Sequence, residues 1–224
     1  MNGQDAQSAG EGTLLAITGP AGVIEAALGL PDAPAQPVLA IVCHPLPTGG
    51  GTMHNKVVTM TARALRESGV TVLRFNFRGV GHSEGAFDEG RGELDDLRAV
   101  AAWARAQYPN HALWLAGFSF GSWIALRACV ELQASALITI APPVGRDWDF
   151  ASVLLPTVPW LVIQGDVDEI VDADAVRHWV AGLSKPPQLI EMEGASHFFH
   201  RKLMDLRGVV KAGIRGWLPL PPSA

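Results

Sequence analysis

The fold is decided by the stretch ALWLA-GFSFG-SWIALRACVE, which occupies residues 112–131. Its first five residues are an apolar run of strand length, and a helix is predicted over residues 120–131. Between them lies Gly117-Phe118-Ser119-Phe120-Gly121, which matches the pattern G-x-S-x-G. In this pattern the serine occupies a strained turn between a strand and a helix, and the small residues on either side let neighbouring backbone pass close by. The alternative interpretation is a glycine-rich turn whose serine only caps the helix.

The rest of the chain alternates short apolar runs with longer amphipathic ones. Strands are predicted at 13–18, 23–28, 38–43, 70–75, 112–116, 136–140, 160–164 and 188–192, and helices at 53–68, 93–107, 120–131, 173–183 and 200–217. The first two strands flank a turn with Gly19, Pro20 and Gly22, which favours an antiparallel pair. The later runs are apolar on both faces, as parallel strands between two helical layers must be. We therefore predict an α/β fold, a doubly wound and mostly parallel sheet of about 7–8 strands with helices on both faces.

Composition and charge exclude several other classes of protein. The chain has 224 residues, of which 48% are hydrophobic and 17% charged, so it is not a disordered chain. We expect one domain over residues 1–224, with a flexible N-terminus at 1–12 and a tail at 219–224. The net charge of -5 lacks the basic surplus of a nucleic-acid binder. There is no signal-peptide pattern and no apolar run of about 18 residues, which predicts a cytoplasmic protein without a membrane span. Cys43 and Cys129 lie in apolar runs, which is typical of buried free thiols.

Two loops downstream of the serine carry acidic residues and a histidine. The strand at 160–164 is followed by the acidic loop GDVDEIV at 165–171, and the strand at 188–192 is followed by EGASH, which ends at His197. The order serine, acid, histidine is the one that a triad has in folds of this type. His197 lies in a short loop, whereas its competitor His200 starts the following helix. The pattern alone leaves the acid open among four side chains: Asp166, Asp168, Glu169 and Asp172.

These motifs resemble those of the α/β-hydrolase superfamily, in particular its small, lidless members that are similar to dienelactone hydrolase. The resemblance covers residues 16–217. The acidic loop is similar to the family's G-x-x-D-x-x-V, which implies that Asp168 is the triad acid, and residues 194–199 are similar to G-x-x-H-x-F, which implies that His197 is the base. The resemblance implies a serine hydrolase in which Ser119 attacks a carboxylic ester and forms an acyl-enzyme intermediate. A thioesterase, a peptidase or an acyltransferase would use the same residues, and a non-catalytic interaction protein on the same scaffold is the remaining alternative.

Acyl transfer also needs backbone amides that stabilise a negatively charged oxygen. One candidate is the amide of Phe120, at the start of the helix after the serine. The resemblance assigns the second to Leu46, in the loop that begins at His44. Pro45 stands where family members often carry glycine, but the donating amide belongs to the next residue. We expect His44 to be structural, packed beneath this loop.

Several other motifs do not indicate a cofactor. The segment FNFRGVGHSEG at 75–85 resembles the family's D-x-R-G-x-G-x-S with Asn76 in place of Asp, and we expect it to be structural. It fails as a dinucleotide-binding pattern because Glu84 stands where G-x-G-x-x-G requires its third glycine. The three glycines at 49–51 lack the G-K-[ST] ending of a phosphate-binding loop. The histidines follow no metal-binding pattern, so we predict no cofactor and no metal.

The expected substrate cleft is open. Only residues 141–159 separate the strands at 136–140 and 160–164, too few for the helical lid of larger superfamily members. Apolar walls suit a small-molecule ester or a related acyl substrate. From loop position alone, the predicted lining residues are Phe87, Phe118, Pro142, Trp148 and Phe198, beside the oxyanion-hole candidates Leu46 and Phe120. We predict neither a nucleic-acid partner nor an oligomeric state.

Overall fold

Eight strands form one sheet in the computed structural model, which describes residues 12–218. In chain order they are β1 (Thr13–Gly19), β2 (Gly22–Gly29), β3 (Val38–Cys43), β4 (Thr71–Phe75), β5 (Ala112–Phe118), β6 (Ala136–Ile140), β7 (Trp160–Gly165) and β8 (Gln188–Met192). Their order across the sheet is β1-β2-β4-β3-β5-β6-β7-β8. β2 is antiparallel to both β1 and β4, and the remaining pairs are parallel. The predicted fold class is confirmed. Apart from Gly12, the predicted flexible N-terminus and the tail lie outside the described residues.

Five α-helices within residues 12–218 cover the two faces of this sheet. They are α1 (Lys56–Arg66), α2 (Arg91–Gln107), α3 (Phe120–Cys129), α4 (Ala173–Ala181) and α5 (Leu203–Ile214). The side chains of β3 alternate between two buried cores because successive residues of a strand point to opposite faces. Ile41 packs in the core formed with α2, α3 and α4, and Ala40 packs in the core formed with α1 and α5.

Two helices begin later than the sequence predicts, each for a local reason. α1 begins at Lys56 rather than at residue 53 because Asn55 caps it. The Asn55 side chain accepts a hydrogen bond from the Val57 amide at 2.9 Å. α5 begins at Leu203 rather than at residue 200 because the chain first makes a turn in which Phe199 has a φ of 52°.

The insert between β6 and β7, residues 141–159, contains no helix. It folds back onto α3, where the ring of Trp148 lies 4.9 Å from that of Phe120 and 4.8 Å from that of Trp123. The prediction of a fold without a substantial lid is therefore confirmed. Phe120 directly follows Ser119, so the insert packs against the first turn of α3, next to the candidate site.

The two cysteines are free and buried, as predicted. Burial raises the pKa of the Cys129 thiol to about 12 and also raises that of Cys43. Both thiols are therefore uncharged at neutral pH, and neither has the thiolate character of a nucleophile.

Candidate active site

Ser119 stands at a sharp turn between β5 and α3. Its backbone has φ 51° and ψ -123°, a strained conformation for a residue with a side chain. Two glycines make the turn possible. A Cβ at Gly117 would collide with the carbonyl oxygen of Gly121, and a Cβ at Gly121 would collide with the carbonyl oxygens of Cys43 and His44. The packing around this turn therefore requires glycine at both glycine positions of G-x-S-x-G, whereas a serine that only caps a helix would not require them.

The imidazole of His197 is hydrogen-bonded to the serine hydroxyl. Its Nε2 lies 3.1 Å from Ser119 Oγ, although the two residues are 78 positions apart in the chain. The ring is buried, with 3% of its side chain exposed, and lies 5.0 Å from the ring of Phe118. The loop after β8 thus brings His197 to the turn after β5. His200, the competitor in the sequence, is exposed on the far side of Phe198.

The other ring nitrogen of His197 is hydrogen-bonded to Asp168, at 2.8 Å between Nδ1 and Oδ2. The second carboxylate oxygen accepts hydrogen bonds from the amides of Ile170 at 2.9 Å and Val171 at 2.8 Å. Burial alone would raise the pKa of Asp168, but the hydrogen bonds from His197 and Val171 outweigh it and lower the pKa below its usual range. Asp168 is therefore a buried anion held by several donors.

The three other acidic candidates of this loop have different partners. Asp166 accepts a hydrogen bond from the Gly194 amide at 2.7 Å, and Glu169 accepts one from the His197 amide at 3.0 Å. Both carboxylates thus fasten the histidine loop through its backbone and do not contact the imidazole ring. Asp172 caps α4 by accepting a hydrogen bond from the Asp174 amide at 2.9 Å.

The loop after β3 is held in place by His44. Its Nδ1 donates to the carbonyl oxygen of Pro45 at 2.6 Å, and its Nε2 accepts from the Phe77 amide at 3.0 Å. Burial lowers the pKa of His44 to about 4, despite the opposing effect of the bond to Pro45, so the ring is neutral. His44 is structural, as expected. Within residues 12–218, neither the amide of Leu46 nor that of Phe120 donates to another group of the chain.

The same architecture is known from other proteins. The family described as the alpha/beta hydrolase fold matches residues 41–158, which is more than half of the 224 residues. The chain belongs to the α/β-hydrolase family.

The relatives of this α/β hydrolase include solved serine hydrolases. An α/β serine hydrolase without a lid from Xanthomonas campestris is 60% identical, with a TM-score of 0.91 over 95% of this chain and 97% of that one. An α/β serine hydrolase homologue from Coxiella burnetii is 43% identical, with a TM-score of 0.87 over 90% of this chain and 97% of that one. An uncharacterized protein of Rickettsia prowazekii is 39% identical over 195 residues, 83% of this chain and 82% of the other. This α/β hydrolase thus resembles proteins of its own length.

A cleft of about 540 Å³ in this α/β hydrolase is lined by residues whose rings contact Phe120, the residue after Ser119, while Ser119 and His197 themselves are not part of its lining. Leu46, Phe87 and Trp148 line it, and the rings of Phe87 and Trp148 lie 5.9 Å and 4.9 Å from that of Phe120. The remaining lining residues, which the sequence prediction did not include, are Thr48, Glu89, Trp123, Asp147 and Asp149. Trp123 could have been found from its place three residues after Phe120 on one helix, since residues three apart share a face.

Three residues predicted to line the cleft lie elsewhere. Phe118 is 1% exposed and packs in the core with α1 and α5, because the last residue of β5 points away from the cleft side of the sheet. Pro142 is buried two residues after the end of β6. Phe198 is partly exposed beside the imidazole of His197, at 5.1 Å between the rings, and not in the cleft.

The described part of this α/β hydrolase contains no candidate group of metal ligands and no candidate membrane-spanning helix. Between residues 12 and 218, no three His, Cys, Asp or Glu side chains are grouped so that they could hold a metal ion. Among the helices of the same region, none has both the length and the apolar character that crossing a bilayer requires.

Proposed function

We propose that this protein is a serine hydrolase that cleaves carboxylic esters through an acyl-enzyme intermediate. Ser119 is the nucleophile, His197 the general base and Asp168 the acid that orients it. The observation that carries the proposal is the continuous series of hydrogen bonds, 3.1 Å from Ser119 Oγ to His197 Nε2 and 2.8 Å from His197 Nδ1 to Asp168 Oδ2. Both distances lie within the reach that proton transfer needs.

The geometry suits each step of acylation. The hydrogen bond to Asp168 keeps the proton of the imidazole on Nδ1, so Nε2 is free to take the Ser119 proton as the oxygen attacks the ester carbonyl. The carbonyl oxygen then carries a negative charge, and the unpaired amides of Leu46 and Phe120 are the proposed donors to it. Collapse of the tetrahedral intermediate breaks the ester bond, and His197 returns the proton to the leaving alcohol.

Deacylation repeats the sequence with water in place of the serine. His197 takes a proton from water, the hydroxide attacks the acyl carbon, and Ser119 leaves with the proton from the imidazole. The proposed acyl or aryl group occupies the cleft, whose lining combines Leu46, Phe87 and Trp148 with three carboxylates at Glu89, Asp147 and Asp149. No metal takes part in the proposed chemistry. Thioesterase, peptidase and acyltransferase activities would use the same three residues and differ in the group that leaves or attacks.

A fluorophosphonate probe followed by mass spectrometry of the intact protein tests the nucleophile. We expect one adduct on Ser119, none on Ser119→Ala, and hydrolysis of nitrophenyl esters that falls by about 10⁴-fold or more in that variant. Ser135→Ala is the matched control, because Ser135 precedes β6 and its hydroxyl donates to the Leu113 carbonyl, outside the proposed triad. Activity should survive dialysis against EDTA. Normal turnover by folded Ser119→Ala would refute the assignment, and a series of esters and thioesters distinguishes the leaving groups.

A further inference from the structure

The proposed mechanism does not use Gln164, a fully buried side chain near the end of β7. Its Nε2 lies 3.0 Å from Asp168 Oδ2, 3.2 Å from the carbonyl oxygen of Gly165 and 3.4 Å from that of Val171. All three neighbours are hydrogen-bond acceptors. The amide nitrogen must therefore face them, because the amide oxygen in the same place would meet three other oxygens.

The opposite end of the Gln164 amide has no partner. Its Oε1 is buried and forms no hydrogen bond within the described residues 12–218. An unsatisfied buried acceptor destabilises a folded protein, and an apolar side chain of the same length would remove it. The Gln164 amide thus has an oxygen that destabilises the folded protein and an NH₂ group that donates to Asp168. A residue kept despite a cost in stability is typical of a functional site.

We infer that Gln164 is a positioning residue for the catalysis proposed above, an inference that rests on that proposed function. Asp168 Oδ1 accepts from the amides of Ile170 and Val171, and Oδ2 accepts from Gln164 and from His197. With donors on both oxygens, the carboxylate cannot rotate, and one lone pair of Oδ2 stays directed at the imidazole. Gln164 also shares this oxygen with His197, so it limits the strength of the bond between Asp168 and the ring.

Gln164→Met tests the inference, because methionine keeps the length of the side chain and removes both polar atoms. We expect kcat on a nitrophenyl ester to fall about tenfold, which equals about 1.4 kcal/mol of transition-state stabilisation. KM should change by less than about twofold, since Gln164 does not line the cleft. Tm should change little, because removal of the unsatisfied oxygen offsets part of the loss of the donor to Asp168 and to the two backbone carbonyls.

A proton NMR spectrum gives a readout that does not depend on turnover. The Nδ1 proton of His197 is bonded to Asp168 Oδ2, and its low-field resonance reports on that bond. When Gln164 no longer donates to the same oxygen, this resonance should move further downfield. A purely structural role for Gln164 would leave it in place.

Thr139→Val is the matched control. Thr139 is a fully buried residue of β6, and its Oγ1 accepts a hydrogen bond from the indole of Trp160 at 3.0 Å. Its loss leaves the indole donor unpaired, so we expect a lower Tm with unchanged kcat. The two variants should therefore have opposite effects, with Gln164→Met lowering activity and Thr139→Val lowering stability.

The possible outcomes separate the inference from the proposed function. Wild-type kcat in Gln164→Met overturns the positioning role, and so does an unchanged His197 Nδ1 resonance in that variant. Gln164→Glu is the second variant, and it should lose more activity at neutral pH than Gln164→Met because two carboxylates would face each other. Full activity in that variant overturns the role as well. A wild-type protein that neither takes the fluorophosphonate nor hydrolyses esters refutes the proposed function, and the positioning role with it.

Discussion

Replacing Asp168 by asparagine changes the donors and acceptors at one point of the proposed triad and almost nothing of its shape. The wild-type carboxylate accepts from two backbone amides on Oδ1, and from His197 and Gln164 on Oδ2. Asparagine has one oxygen and one NH₂ group, so one of these two sets of donors must face another donor. The backbone amides of Ile170 and Val171 can only donate hydrogen bonds, but an imidazole can move its proton from one nitrogen to the other.

The tautomer shift is therefore the arrangement we expect in Asp168→Asn. When the NH₂ group of the introduced asparagine points at the ring, the Nδ1 of His197 becomes the acceptor and its Nε2 carries the proton. That nitrogen, 3.1 Å from Ser119 Oγ in the wild type, can then no longer take the serine proton. The expected loss of kcat/KM is roughly 10⁴-fold, or about 5.5 kcal/mol of barrier. Nitrophenyl ester hydrolysis measures it, and thermal unfolding should give a Tm close to that of the wild type.

Asp166→Asn is the matched control from the same loop. Asp166 accepts one hydrogen bond from the Gly194 amide, and the oxygen of an asparagine can accept it equally well. We expect turnover within about threefold of the wild type, since no donor or acceptor of the proposed triad changes. If Asp166→Asn is the inactive variant while Asp168→Asn still turns over, the reasoning from the hydrogen-bond pattern is refuted.

Two further predictions concern stability. Asp172→Ala removes the cap of α4 and should cost about 1 kcal/mol in urea unfolding with turnover unchanged, so an unaltered unfolding midpoint would contradict the cap. For Glu67, burial alone would raise the pKa, but hydrogen bonds from Lys211 and Arg63 outweigh it and lower the pKa to about 2 from 4.5. Because the folded-state pKa is the lower one, this stabilisation is present above about pH 4.5 and is lost as the pH falls towards 2. Glu67→Gln should therefore lose about 1 kcal/mol of stability at neutral pH but little at about pH 2. An equal loss at both pH values, or a similar profile for the exposed Glu193→Gln, would exclude this effect of the neighbouring cations.

Much of the fold could be predicted from the sequence because its signals are local. The apolar run of β3 and the strand-helix alternation around Ser119 each depend on a few neighbouring residues. The G-x-S-x-G pattern is also local in the sequence, although only Gly117 is required by its near neighbour Gly121, whereas Gly121 is required by the close approach of β3 at Cys43 and His44. The first residues of the helices were harder to predict. A side-chain cap such as Asn55 can start a helix several residues after the point at which the helical spacing of apolar residues begins.

The lining of the cleft could not be predicted to the same degree, because it depends on the direction of single side chains. Phe118 and Phe120 flank Ser119 in the sequence, yet Phe118 packs in one core of the sheet and Phe120 in the other. The sequence places both phenylalanines next to Ser119 and does not specify to which side of the sheet each ring points. Asp147 and Asp149 line the cleft because the insert folds back onto α3, which follows from the contact between Trp148 and Trp123.

In the acidic loop, the resemblance to the family pattern selects one carboxylate, Asp168, which the spacing of the residues alone does not. Spacing leaves four carboxylates open because their roles depend on partners in a second loop, about 28 residues later, whose position only the fold defines. Asp166 and Glu169 accept hydrogen bonds from the backbone of that loop at Gly194 and His197, whereas Asp168 is bonded to the imidazole itself. The loop thus carries several acceptors with different partners, because the backbone of the histidine loop and the imidazole ring lie in different places and each needs its own acceptor.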